Sequence, residues 1–261
     1  MPFADVNGQR IRFEDTGGDG PVVVLSHGFL MNHTMFDAQV AALRDEYRVI
    51  AWDERGFGDT EFDGQPFTYW DSARDLLALL DHLVIERAVL GGMSQGGFIS
   101  LRAALLAPER VAGLILLDTQ AGVEAPEIVP AYDQMIETWM SAGPVDELAE
   151  AIAAIIIDDA DHHPAWISHW RSHPRERIEQ PYRCLMSRDD ITDRLGDIDI
   201  PALVVHGDND TAISMECAEI LAEGLPGASG VVVAAGAHAV NMTNPEPVNA
   251  AIREFLASIS Y

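Results

Sequence analysis

The sequence predicts an α/β fold on a mostly parallel sheet, and two observations lead there. From Val22 to Thr119, short apolar runs alternate with amphipathic stretches, the pattern of βαβ units whose strands are buried on both faces. Within that stretch, Gly92-Met93-Ser94-Gln95-Gly96 sets a serine between glycines where the strand-like run Arg87 to Leu90 turns into the helix-like run Phe98 to Ala107. A serine on so sharp a bend takes strained backbone geometry with its hydroxyl exposed, and the glycines let neighbouring backbone come close. A bare G-x-S-x-G string among 21 glycines says little; the strand-to-helix context gives it weight.

The elements follow in chain order. Phe3 to Asp15 alternates as an antiparallel hairpin around Asn7-Gly8. Parallel strands centre on Val22–Leu25, Val49–Trp52, Ala88–Gly91 and Leu114–Leu117, with helices near Met35–Leu43, Ser72–Leu83 and Gln95–Leu106. After Asp118 the pattern changes. Residues 120–199 carry no strand signal, while Tyr132–Met140, Val145–Ile157 and Ala165–Arg171 read as helices, and Trp139, Trp166 and Trp170 lie among them. The sheet resumes at Pro201, gains a short strand at Val231–Val233, and closes with a helix over Val248–Ile259. The expected organisation is a core of 1–119 and 200–261 with a helical insert, 120–199, after the sixth strand.

Composition excludes several classes. The chain of 261 residues carries a formal charge of −26, which repels phosphate backbones and anionic membranes, so neither nucleic acid nor membrane is an expected partner. All 16 basic residues are arginine, which removes the Walker A lysine and the lysine Schiff base. No run approaches the roughly 20 apolar residues of a membrane span. Two cysteines make no disulfide framework and Met1 to Arg12 lacks a secretory pattern, so a cytoplasmic location is expected.

A serine hydroxyl is a poor nucleophile until a base takes its proton, so the Ser94 motif calls for partners further along. His238 follows the strand Val231–Val233 and suits the base. Asp208 and Asp210 end the strand begun at Ala202, and either could hold the imidazole; Asp118 is a third, weaker candidate, better suited to a turn or helix cap. The backbone N–H of Gln95, directly after the serine at a helix N-terminus, is placed to stabilise an oxyanion. His162, His163, His169 and His173 cluster locally, but prolines interrupt them and no H-E-x-x-H pattern forms, so no metal is expected. His206, inside an apolar run, reads as a hydrogen-bonded core histidine, and Asp53 with Arg55 as a structural turn holding a charge pair.

On these residues the chain resembles the α/β-hydrolase family over nearly its whole length. Ser26-His27-Gly28-Phe29 looks like the family's oxyanion loop, and Asp53-Glu54-Arg55-Gly56-Phe57-Gly58 like its Asp-x-Arg-Gly-x-Gly turn. Leu114–Asp118 resembles the strand after the nucleophile helix, and Asn244-Pro245-Glu246-Pro247 the family's ending. The order Ser, Asp, His is the one used on these sheets. The resemblance implies an eight-stranded sheet, a lid formed by the helical insert, Asp210 as the acid through the pattern Gly207-x-x-Asp, and Phe29 as the second oxyanion N–H. Met31, Met93, Trp139 and Trp166 are expected around an apolar substrate. The nearest subgroups by wording are small esterases, enol-lactonases and cofactor-free haloperoxidase-like enzymes.

The expected function is cofactor-free hydrolysis of a small, largely apolar ester or lactone through an acyl-enzyme on Ser94. A perhydrolase or a carbon–carbon bond hydrolase shares the same residues. A ligand receptor on the same fold, with vestigial hydrolysis, is the competitor from another class. Oligomeric state stays open.

Overall fold

The computed structural model describes residues 2–261. The chain opens with β1 (Phe3–Val6) and β2 (Gln9–Asp15), an antiparallel hairpin whose turn residues Asn7 and Gly8 both take positive φ. That is the backbone an Asn-Gly turn favours. Then come β3 (Val22–Ser26), α1 (Asp37–Leu43), β4 (Arg48–Trp52), α2 (Tyr69–His82), β5 (Ala88–Met93), α3 (Gln95–Leu106) and β6 (Val111–Leu117). Four helices precede the next strand: α4 (Val129–Ala142), α5 (Asp146–Ile156), α6 (His163–Ser172) and α7 (Glu179–Met186). The chain ends with β7 (Ala202–Gly207), α8 (Met215–Gly224), β8 (Ser229–Val233), α9 (Val240–Thr243) and α10 (Pro245–Ser258).

The eight strands run in the order β1-β2-β4-β3-β5-β6-β7-β8, parallel from β4 to β8 and antiparallel in the first two pairings. Every residue of β5, β6 and β7 is buried, as continuous apolar runs demand of a sheet covered on both faces. The C-terminal ends of β3, β5, β7 and β8 therefore open onto one edge, where ligands of open α/β sheets bind.

Two helices depart from the sequence expectation for identifiable reasons. Helix α2 starts at Tyr69 because Thr68 and Asp71 close a reciprocal capping box ahead of Ser72. Helix α7 was not expected at all; Pro181 sits in its first turn, where no intrahelical N–H is required, so the proline does not break it.

Helices α4 to α6 pack into the core cluster that also buries Leu30, Met31 and Val205, whereas Cys184 and Leu185 of α7 join the other core cluster. Polar contacts pin them to the sheet-edge loops. Trp170 Nε1 donates to Leu30 O (2.7 Å), Ala239 N to Ile156 O (2.8 Å), and Arg177 Nη2 to Phe57 O (2.9 Å). Among the described residues no helix is long and apolar enough to cross a membrane.

Candidate active site

Ser94 sits between β5 and α3 with φ 51° and ψ −116°, a conformation a side-chain-bearing residue rarely takes. The surroundings over-determine it. Ser94 N donates to Leu117 O (2.9 Å), and Ser94 O accepts from Thr119 Oγ1 (2.6 Å) and Gly97 N (2.9 Å). A Cβ on Gly92 would lie 2.0 Å from Gly96 C, and one on Gly96 would lie 1.9 Å from Ser26 O. Both glycines of the motif are thus steric requirements of a backbone folded against itself. Gln95 is the first residue of α3, so its N–H has no partner within the helix and stands at the positive end of the dipole.

His238 and Asp210 arrive from the other end of the chain. His238 Nδ1 lies 2.8 Å from Asp210 Oδ2, while Asp210 Oδ1 accepts from Ala212 N (2.8 Å) and Ile213 N (3.0 Å). Burial alone would raise the Asp210 carboxyl, but the His238 hydrogen bond and charge, with those two N–H groups, hold it below its ordinary value. With Nδ1 donating to a carboxylate, Nε2 keeps the free lone pair. The two loops meet because Gly207 and Gly236 lie backbone to backbone: a Cβ on Gly207 would fall 2.2 Å from Gly236 O. Asn209 N also donates to Gly236 O (2.9 Å).

The other acids do different work. Asp208 Oδ1 accepts from Ala235 N (2.7 Å), tying its loop to the one after β8. Asp118 Oδ1 accepts from Gly207 N (2.8 Å), joining the ends of β6 and β7, and burial drives its carboxyl well above the ordinary value. His206 Nε2 meets Ile213 O at 2.9 Å, as a core histidine should. Asp118, His206 and Asp210 form the one metal-type grouping among the described residues. His206 Nδ1 and Asp118 Oδ2 have no hydrogen-bond partners there; His206 Nδ1 lies 3.9 Å from Asp118 Oδ1. The histidines at 162, 163, 169 and 173 do not gather into such a group; His163 Nε2 bonds Ile157 O at 2.6 Å instead. The Asp53–Arg55 pair expected from sequence does not form. Asp53 Oδ1 takes His33 Nδ1 (2.7 Å), and Arg55 turns to Asp75 (2.6 Å).

Ser94 and His238 border one cavity of about 440 Å³. Its walls are mostly apolar, with Phe29, Leu30, Met93 and Phe98 from the sheet side and Met135, Leu148, Ile152 and Ile155 from α4 and α5; Glu124, Gln134, Thr138 and Thr211 add polar groups. No hydrogen bond within 3.5 Å joins Ser94 Oγ to His238. Met93, one of the four residues expected around a substrate, borders this cavity. Met31, Trp139 and Trp166 do not: none borders this cavity. Met31 is fully buried beside Phe57 and Trp139, Trp139 packs on Trp170 (6.2 Å between rings) and Trp166 on His169 (5.8 Å). Large indoles fill the seam between insert and core, and aliphatic side chains face the void.

Known proteins share this fold. The family model described as the alpha/beta hydrolase fold matches residues 21–245. A thermophilic esterase from Thermogutta terrifontis superposes with a TM-score of 0.86 at 35% identity, covering 97% of this chain and 95% of that one. The enol-lactonase from Burkholderia xenovorans gives 0.88 at 27% identity, over 98% and 100%. A relative from Rhizobium rhizogenes named "Putative carbamate hydrolase RutD" is 31% identical over 96% of this chain and 99% of its own. The chain belongs to the alpha/beta hydrolase family.

Proposed function

We propose that this protein is a serine hydrolase cleaving a small, largely apolar carboxylic ester or lactone, with Ser94 as nucleophile, His238 as general base and Asp210 as the acid that orients it. One observation carries the reading: the His238–Asp210 pair stands at the rim of the apolar cavity that strained Ser94 also borders. In this mechanism Ser94 Oγ bonds to the carbonyl carbon as its proton passes to His238 Nε2. The carbonyl electron pair moves onto oxygen, where the N–H groups of Gln95 and Phe29 meet it. Collapse expels the alcohol, which takes the proton from Nε2 and leaves an acyl group on Ser94. Water then attacks by the same route and releases the acid. The helices of 120–199 act as a lid, supplying most of the wall that grips the apolar group.

The esterase and the enol-lactonase support the substrate class. The mostly apolar lining favours an ester or lactone with an apolar group over the carbamate class in the name of the third relative. The test is a panel of p-nitrophenyl esters, lactones and carbamates on wild type, Ser94→Ala and Asp210→Asn. Ester or lactone turnover is expected, lowered by about 10⁴-fold or more in either variant. Wild-type turnover in Ser94→Ala, or a wild type inert towards every ester and lactone, overturns the reading.

A further inference from the structure

Glu54 follows β4 and is fully buried, yet neither Ser94 nor the substrate cavity touches it. Its contacts run in two directions. Its backbone N–H donates to His27 Nε2 (3.0 Å), and His27 Nδ1 in turn donates to Gly28 O (2.8 Å). Burial keeps His27 neutral, its pKa lowered to about 4, so this tautomer is fixed. That chain holds the segment carrying the Phe29 N–H. On the other side, Glu54 Oε2 accepts from Gln95 Nε2 (2.6 Å) and Oε1 from Ser72 Oγ (2.6 Å), while Tyr69 OH donates to Gln95 Oε1 (3.2 Å). Those bonds fix the side chain of the residue that carries the other proposed oxyanion N–H.

One residue therefore grips both segments, the first with its main chain and the second with its carboxyl. We infer that Glu54 is a positioning residue that sets the separation between the Phe29 and Gln95 N–H groups. The inference rests on the hydrolase reading above. Its physical basis is tolerance: preorganised donors work only where the oxyanion forms, and a misplacement of about 1 Å can cost 10²-fold. A filler role alone would be met as well by an apolar side chain of similar size, without the need to satisfy a buried carboxyl. Burial also drives Glu54 up to about 8 against the pull of Ser72, Arg55 and Gln95, with Asp75 adding to the rise. Below about pH 8 the carboxyl is therefore mainly neutral, its Oε1 proton then donated to Ser72 Oγ while Oε2 still accepts from Gln95, and little negative charge opposes the oxyanion.

The experiment compares Glu54→Leu, Glu54→Gln and Gln95→Met with wild type and Ser94→Ala on the best ester of the panel. It also measures inhibition by phenylboronic acid, whose tetrahedral serine adduct mimics the oxyanion. Glu54→Leu is expected to lower kcat roughly 10- to 100-fold with KM nearly unchanged, and to weaken boronate binding by a similar factor. Glu54→Gln, which still accepts from Gln95, restores both to within about threefold. Gln95→Met cuts the same link from the other end and carries the test if Glu54→Leu does not fold. Folded variants with wild-type kcat, or with lost kcat but intact boronate binding, overturn the inference while Ser94-dependent turnover keeps the hydrolase reading alive. Absence of Ser94-dependent turnover in wild type removes both.

Discussion

The two regions that meet at the cavity are built by different physics. On the sheet side, backbone presses on backbone: Gly92 on Gly96, Gly96 on Ser26, Gly207 on Gly236. On the insert side, α4 and α5 reach the cavity only through side chains, and Ile128 and Ile155 there remain 39% and 49% exposed. Backbone contacts have almost no slack, whereas side chains can repack or be exchanged at similar volume. The comparison teaches that a reaction can be fixed by main-chain geometry while substrate choice is left to replaceable walls.

The largest break in that comparison should come from Gly96→Ala. The new Cβ would meet Ser26 O at 1.9 Å and Ser26 C at 2.5 Å, and neither atom is the end of a flexible side chain. A loss of about 3 kcal/mol or more is expected, read as a drop in melting temperature of roughly 6 to 12 °C or as insoluble protein. A well-folded Gly96→Ala with wild-type activity would show the sheet side to be as forgiving as the insert.

A second prediction sharpens the electrostatic side of the same contrast. Burial pushes the Glu54 carboxyl from its ordinary 4.5 up to about 8 in the folded chain, against the pull of the Ser72 hydrogen bond and the Arg55 charge, with Asp75 adding to the rise. Between those values the unfolded chain has released a proton that the folded one keeps, so the unfolded state binds fewer protons and stability falls as pH rises. Glu54→Gln removes that loss. Its stability should match wild type near pH 4.5 and exceed it increasingly up to pH 8, by on the order of 3 kcal/mol, in urea melts at several pH values. A difference independent of pH would mean the carboxyl is ionised throughout.

The same division explains what could be read in the sequence. Strands β3 to β7 are legible because strands buried on both faces must be apolar throughout. Ser94 and Asp210 stand out because they follow such runs, and His238 because it follows the short apolar run Val231–Val233, although β8 is largely exposed. The convergence of the last two loops was not legible: Gly207 and Gly236 look like any turn glycine until their backbones are seen in contact. Glu54 was hidden for a like reason, since its partners Gln95, Ser72 and His27 come from three separate segments. Around the cavity, Met31, Trp139 and Trp166 were expected and do not border it. Composition says that large apolar groups lie in the insert, but not which turn of a helix faces the void and which faces the core.

The smallest effect tests the insert directly. Ala151 lies on the exposed side of α5 and borders the cavity, so Ala151→Phe adds a ring to the wall without forcing anything into the core. If α5 grips the acyl chain, the ring takes space that a long chain needs and an acetyl group does not. One methylene in an apolar pocket is worth about 1–3 kcal/mol, so kcat/KM for p-nitrophenyl octanoate relative to acetate should fall by about tenfold or more. Acetate turnover and melting temperature should hardly change, because neither the Ser94 bend nor the His238–Asp210 pair touches Ala151. A uniform loss on both esters would mean instead that α5 acts on the chemistry through the Ile156–Ala239 hydrogen bond beside His238, and that the two regions are less separable than their packing suggests.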